Sequence, residues 1–330
     1  MSRNTKRKNM TLKQYNAKVT QIWITVIACL TIFTIAGIIM GFVMLVEKEE
    51  TPYDAAQNTS PSPTVSETPI STPTPGISIE PSPSLGPTPT PVPTPPYTIT
   101  VRTESEPKLT YYVADVVLSD ISYLKTAFAK DKFGTGIKEV VSKMATRNNA
   151  IFAVNGDYYG WHNNGVVIRN YEAYRNKPAN KTDICAIFGD GTMKVYPPNS
   201  IGADELKAQN CYQSWCFGPI LVENGAALTE FPNSSVTGRN PRTGIGYIGP
   251  NHFVFIVVDG REGNYSEGLK MADFAKLFEE LGCQTAYNLD GGGTSTFYYN
   301  GSVMNRPCYG SERSMSDIIY VPAYEENFQQ

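Results

Sequence analysis

The sequence predicts an α+β domain of mixed β-sheets with packed helices, preceded by one transmembrane helix and a disordered proline-rich stalk. Three features of the 330-residue chain carry this expectation. Residues 19–46 are apolar and hold no charged side chain. Residues 47–96 are dominated by Pro, Thr and Ser. Residues 97–330 alternate short β-type runs with a few stretches of helical periodicity.

The first 18 residues carry Arg3, Lys6, Arg7, Lys8, Lys13 and Lys18 and no acid, whereas Glu47, Lys48, Glu49 and Glu50 follow the apolar run. A span of this length crosses a hydrocarbon core that needs about 20 residues, and the basic flank places the N-terminus in the cytoplasm. The run is longer than the apolar part of a cleaved signal peptide, and no small-x-small site closes it, so it reads as a signal anchor in the cell membrane. The following segment has almost nothing to bury. As polyproline II, at about 3.1 Å per residue, it would hold an extracellular domain up to roughly 140 Å from the bilayer.

Within the domain, Tyr97–Thr103 and Leu109–Leu118 read as strands, the latter through the β-branched and aromatic run YYVADVVL. Ile137, Val140, Val141 and Met144 recur at helical spacing, predicting a helix over 137–147 before the apolar strand Ala150–Val154. Ile184–Phe188 and Thr192–Tyr196 flank Asp190-Gly191, a hairpin signal. A short helix over Ala203–Gln209 follows, then a strand in GPILVENG, residues 218–225, ending at Asn-Gly. Arg242–Ile248 and His252–Val258 form a hairpin about Gly249-Pro250. MADFAKLFEELG, residues 271–282, is helical and stops at Gly282. Thr285–Leu289, a turn at Asn300-Gly301 within Tyr298–Val303, and Ser316–Pro322 complete the strands.

Composition excludes several classes. Residues 97–330 hold 21 Lys plus Arg against 25 Asp plus Glu, so no basic surplus points to nucleic acid. Cys185, Cys211, Cys216, Cys283 and Cys308 are odd in number, which rules out a complete disulfide framework and leaves at most a bridge such as Cys211 to Cys216. No CxxC pair occurs and His162 and His252 are the only histidines, so neither a zinc site nor any other cofactor is expected. The acidic loops leave room for calcium, but no EF-hand pattern supports it.

The most informative stretch is TAYNLDGGGTSTFYY, residues 285–299. Gly291, Gly292 and Gly293 lack a Cβ, so their backbone can turn sharply and aim N–H groups at an anion, with Thr294, Ser295 and Thr296 adding hydroxyls. Asp290 sits at the mouth of that cradle. Three further polar motifs end or begin β-runs: Asn155-Gly156-Asp157, Arg242 in PRTGIG, and Asp259-Gly260-Arg261 running on to Ser266 and Glu267. Arg242 and Arg261 suit bidentate capture of phosphate oxygens, and Asp157, Asp259, Glu267 and Asp290 supply carboxylates. Any one of these residues alone is an ordinary cap, turn or surface charge. Together, in apolar-flanked turns, they suggest a site that makes or breaks a bond to phosphate.

The motifs AVNGDYY (153–159), GPILVENG (218–225), PRTGIGY (241–247), VVDGREGNYSEGLKMADFAKLFEELGC (257–283) and AYNLDGGGTSTF (286–297), in this order, resemble the phosphodiester glycosidase family over most of residues 110–322. The resemblance implies cleavage of a sugar-1-phosphodiester to free sugar and phosphomonoester. The chemistry of the residues themselves makes Asp290 the leading catalytic carboxylate. Asp157, Glu267 and Asp259 are then candidates to activate water or bind sugar hydroxyls. Arg242, Arg261, Asn155, Ser266, the three glycine amides and Thr294 or Ser295 would hold the substrate and its departing phosphate. Tyr158, Tyr159 and Trp161 offer faces on which sugar rings can stack. DGGGTST also resembles the phosphate loops of actin-like ATPases, but no second acidic phosphate motif of that family appears in the expected order. A non-catalytic binder of envelope polysaccharide is the remaining alternative. The partners expected are a carbohydrate phosphodiester and the membrane.

Overall fold

The computed structural model describes residues 95–324. The basic tail, the apolar run and nearly all of the stalk lie outside the described residues, and among the described residues no helix is long and apolar enough to cross a membrane. In chain order the strands are β1 (Tyr97–Glu106), β2 (Leu109–Leu118), β3 (Lys125–Phe128), β4 (Ala150–Asn155), β5 (Val166–Arg169), β6 (Glu172–Asn176), β7 (Ile184–Phe188), β8 (Met193–Tyr196) and β9 (Cys211–Trp215). They continue with β10 (Ile220–Glu223), β11 (Ala226–Ala227), β12 (Arg242–Gly249), β13 (His252–Val258), β14 (Thr285–Asn288), β15 (Phe297–Tyr299), β16 (Ser302–Val303) and β17 (Asp317–Pro322). The α-helices are α1 (Val141–Arg147), α2 (Ala203–Ala208) and α3 (Met271–Glu280).

These elements form three sheets, in the orders β1-β2-β13-β12-β14-β10-β11, β16-β15-β4-β17-β3 and β6-β5-β9-β7-β8. The α+β class holds, while the expected mixing of strand directions narrows to antiparallel pairing throughout the described sheets. Hairpins account for much of this. Asn224-Gly225 and Asn300-Gly301 both lie at positive φ, as the tight turns between β10 and β11 and between β15 and β16 require.

At its centre the seven-stranded sheet is buried on both faces, which is why β13 reads HFVFIVV without alternation, while the edge strand β1 stays half-exposed. Phe253, Phe255 and Val257 enter the core shared with β4, β15 and β17, whereas Val254, Ile256 and Val258 pack under α3. The glycines of PRTGIGY admit that helix. A Cβ on Gly244 would lie 3.0 Å from the Phe274 and Phe278 rings, and one on Gly246 would lie 2.5 Å from the Cys283 sulfur and 2.6 Å from Phe278. Gly246→Val is therefore expected to destabilise the domain by about 1–3 kcal/mol through overpacking. Chemical denaturation would show this as a lower midpoint with an unchanged slope.

Two local expectations are corrected. The helix predicted over 137–147 begins only at Val141, because the Glu139 backbone pairs in both directions with Met315, at 2.9 and 2.8 Å, and holds that segment extended. Cys211 and Cys216 do not bridge, since all five domain cysteines are buried free thiols. Cys216 instead accepts the Val166 amide at 3.2 Å.

Candidate active site

The site is assembled where β4 and β14 end and β12 begins. Asn155, the last residue of β4, is fully buried and its amide ties the three together. Its Nδ2 donates to the Asp290 carbonyl at 2.6 Å, while its Oδ1 accepts from the Thr243 hydroxyl at 2.7 Å and from the Thr296 amide at 3.2 Å. Gly156 follows because a Cβ there would collide with the Asp317 carboxylate.

Asp157 comes next and belongs to a buried ion cluster. Arg169, fully buried, lies 3.0 Å from the Asp157 carboxylate and 2.7 Å from that of Asp317. Its remaining donors reach the carbonyls of Ile168 and Ser214. Asp157 also accepts the amides of Tyr159 and Cys216, at 3.1 and 2.9 Å. Burial holds the Asp317 carboxyl above the ordinary carboxylate range, against the pull of Arg169.

Asp290 stands where two cavities meet. One, of about 220 Å³, is lined by Arg242, Arg261, Asn288, Gly291 and Gly292, among others. The other is a wider depression of about 590 Å³ lined by Lys138, Tyr158, Trp161 and Ser314. Asp290, Phe217 and Arg313 border both. The Asp290 carboxylate accepts the Gly291 amide at 2.9 Å and the Thr294 hydroxyl at 2.8 Å, and Arg313 stands 3.7 Å away. Burial nonetheless pushes its pKa up from 3.8 to about 6, the donors and Arg313 offsetting part of the desolvation.

Among the residues named from sequence, Asp290, Arg242, Arg261, Gly291 and Gly292 share one cavity. The expected amide cradle is not formed as drawn. The Gly291 amide turns to the Asp290 carboxylate, and the Gly292 amide donates to the Pro241 carbonyl at 2.9 Å. Gly293 packs beside Arg313 and accepts its amide at 3.1 Å. Thr294 is buried against Asp290, and the buried Ser295 hydroxyl has no partner.

Arg242 cannot offer a bidentate fork. Four of its five N–H groups are aimed within the protein, at the carbonyls of Leu269, Val236 and Gly238 and at the Met271 sulfur. None of these acceptors is a carboxylate, and burial alone draws its pKa down to about 10. Arg242 therefore contributes a positive field. Arg261, whose guanidinium is steadied by Asn240 at 3.0 Å, and half-exposed Arg313 retain free donors for an anion.

Asp259, Ser266 and Glu267 do not line either cavity. Asp259 is buried, accepting from Asn305, Tyr265 and the Arg306 amide at 2.8–3.0 Å, and burial raises its pKa. Ser266 donates to the Asp259 carbonyl at 2.6 Å, and Glu267 pairs at the surface with Lys108 at 3.1 Å. They brace the loop that carries Arg261. Sequence reasoning missed Arg313, Phe217, Asn288 and Lys138. Arg313 lies in SERSMSD, a polar segment without apolar periodicity, whose one signal was its place just before an apolar strand. No group of three or more His, Cys, Asp or Glu able to hold a metal ion occurs among the described residues.

A phosphodiester glycosidase family model matches residues 148–322, just over half of the chain and nearly all of the segments that build this site. The chain belongs to the phosphodiester glycosidase family. Among curated proteins it is 34% identical over 200 residues to the SPbeta prophage-derived uncharacterized protein YomE of Bacillus subtilis, covering 57% of this chain and 30% of that protein. The chain thus spans under a third of that relative's length. The phosphodiester glycosidase fold is also that of the catalytic domain of zebrafish N-acetylglucosamine-1-phosphodiester alpha-N-acetylglucosaminidase, auto-inhibited by its pro-peptide. That match has a TM-score of 0.57 at 17% identity, over 70% of this chain and 85% of that one. A hypothetical protein from Synechocystis is similar at a TM-score of 0.53 and 16% identity, over 69% and 62% of the two chains.

Proposed function

We propose that the chain hydrolyses the sugar C1–O bond of glycosyl-1-phosphodiesters, releasing free sugar and a phosphomonoester. We propose further that it does so on envelope glycopolymers or glycoconjugates, at the outer face of the cell membrane to which residues 19–46 anchor it. The observation that carries the chemical reading is the meeting of a single cavity-lining carboxylate, Asp290, with Arg242, Arg261 and Arg313. Family membership supports the same reading.

In the reaction, water oxygen forms the new bond to C1 and the C1–O bond breaks with its electron pair departing on the phosphate. Phosphate is a weakly basic leaving group, so fixed positive charge around it does more than a strong proton donor would. Arg261 and Arg313 hold its oxygens and Arg242 supplies the field behind them. Ionised Asp290 takes the water proton and faces the positive charge that develops on the sugar ring.

Two outcomes test this. The 330-residue chain, given a panel of sugar-1-phosphodiesters, is expected to release free sugar, and binding without turnover on any donor would favour the polysaccharide binder. The rate should also fall as pH drops through about 6, where Asp290 becomes protonated. Because Arg313 lowers the Asp290 pKa, Arg313→Gln should move that limb to higher pH. A limb that stays in place would detach Asp290 from the titration.

A further inference from the structure

We infer that the tyrosine-lined groove between β3 and the β5–β6 hairpin is a second carbohydrate site, one that holds a neutral stretch of glycan apart from the cavities at Asp290. The groove has a volume of about 580 Å³, within the range of small-ligand sites. None of its lining residues borders either cavity at Asp290. Binding there does not depend on the catalytic chemistry, and only its effect on turnover rests on the glycosidase reading of Asp290.

Asn170 and Tyr171 form the two-residue turn of the hairpin, with Arg169 paired to Glu172, and both lie at positive φ, 51° and 71°. Such a turn ordinarily takes glycine at its second position, and a bulky aromatic residue there is strained. The turn is fixed all the same. The Tyr171 amide donates to the Tyr212 carbonyl at 2.9 Å, while Asn170 Oδ1 accepts from the Thr126 amide at 3.2 Å and from Gln213 Nε2 at 2.8 Å. What this strain presents is a ring that stays 43% exposed, tilted against the buried Tyr212 ring at 4.7 Å and 54°. Tyr174, 38% exposed, stands edge-on to Phe128 at 4.8 Å and 84°. A strained residue held by such surroundings marks a functional constraint.

Three observations select the ligand. Of the lining residues only Lys125 and Asp131 carry charge, and Asp131 pairs with Arg147 at 2.8 Å, so the groove has no cationic excess to recruit a phosphate, unlike the arginine-lined cavity at Asp290. The hydroxyls of Tyr171, Tyr174 and Tyr320 have no hydrogen-bond partner among the described residues. They can both donate to and accept from sugar hydroxyls, whereas a proline-rich strand offers only carbonyl acceptors. Finally, β3 is the edge of its sheet, but a peptide cannot add to it as a further strand. Asn170 takes both the amide and the carbonyl of Thr126, at 3.2 and 3.0 Å, and Gln213 reaches the Leu124 carbonyl at 3.3 Å. The apolar C–H face of a pyranose carries slight positive charge and fits the electron-rich faces of the two exposed rings.

The test titrates the 330-residue chain with neutral oligosaccharides of glucose and of N-acetylglucosamine in a calorimeter. At least one is expected to bind. Tyr171→Gly relieves the strained φ while removing the ring, so it should fold and yet weaken that binding about tenfold. Tyr174→Ala, which leaves the turn untouched, should do the same. Neither variant should change kcat/KM on a sugar-1-phosphate methyl diester, whereas both should raise KM on a polymeric sugar-1-phosphodiester. A wild type that binds no neutral oligosaccharide, or affinities unchanged in both variants, would overturn the site. Capture of the peptide PSPSLGPTPTPVPTPP, residues 81–96, in place of sugar would assign the rings to proline and overturn it equally. A fall in methyl-diester turnover in either variant would overturn its separation from the catalytic cavity. Absence of turnover on every diester, with sugar affinity lost in the variants as expected, would remove the hydrolase reading and leave the second site standing.

Discussion

Replacing Asp290 with asparagine is expected to lower turnover of a glycosyl-1-phosphodiester by about 10²–10⁴-fold while leaving the fold intact. The amide keeps the shape of the carboxylate, so its oxygen still accepts the Gly291 amide, and the Thr294 hydroxyl can accept in place of donating. What is lost is the only group lining both cavities that can take a proton from water. Stability should move the other way above neutral pH. The folded-state pKa of about 6 lies above the ordinary 3.8, so the contribution of Asp290 to stability is fully present below about pH 4 and is lost as pH rises through about 6. Above that range the wild type carries a penalty of about 3 kcal/mol that asparagine does not. Michaelis–Menten kinetics together with thermal unfolding at pH 8 would read both effects, and undiminished turnover would remove Asp290 from the chemistry.

The largest effect on stability is expected at Arg169. Arg169→Met should cost about 3–5 kcal/mol or more, because it leaves two buried carboxylates, Asp157 and Asp317, without their cation. Asp317 already sits above its ordinary pKa, and removing the guanidinium raises it further. The mutant should consequently be least stable at high pH and recover part of its loss as pH falls and the carboxyl is protonated. Denaturant melts at pH 5 and pH 8 would show the difference, and equal losses at both would mean that the cluster acts by packing rather than by charge. The same change should loosen the turn at Tyr158 and Tyr159, since the Asp157 oxygen that meets Arg169 also accepts the Tyr159 amide.

Much of the central sheet was legible because its signals are local. β13 is a continuous apolar run, the Asn-Gly turns sit where positive φ is needed, and α3 repeats Met271, Phe274, Ala275 and Phe278 toward the sheet. β3, β5, β6 and β9 were not read. β9, CYQSW, is entirely buried yet holds Gln213 and Ser214, whose polarity is satisfied only by distant partners such as Thr126, Asn170 and Val166. No pattern within five residues can announce a hydrogen bond to a residue more than 40 positions away.

The site shows the same division. Asp290, the glycines, Arg242 and Arg261 stand out as residue types at strand ends, but the placement of each depends on partners elsewhere in the chain. Nothing near Asp157 reveals that Arg169 will claim it, nothing near Glu267 reveals Lys108, and Arg242 looks like a phosphate fork until the carbonyls around it are known.

The placement of the arginines has a consequence for how the site responds to its medium. Arg261 and Arg313 face solvent, where mobile counterions at physiological ionic strength damp a charge within about 8 Å. Arg242 is clamped inside the protein, where such ions do not reach it. Added salt should strip away long-range attraction and slow the arrival of an anionic ligand, yet leave the innermost pull on a docked anion nearly whole.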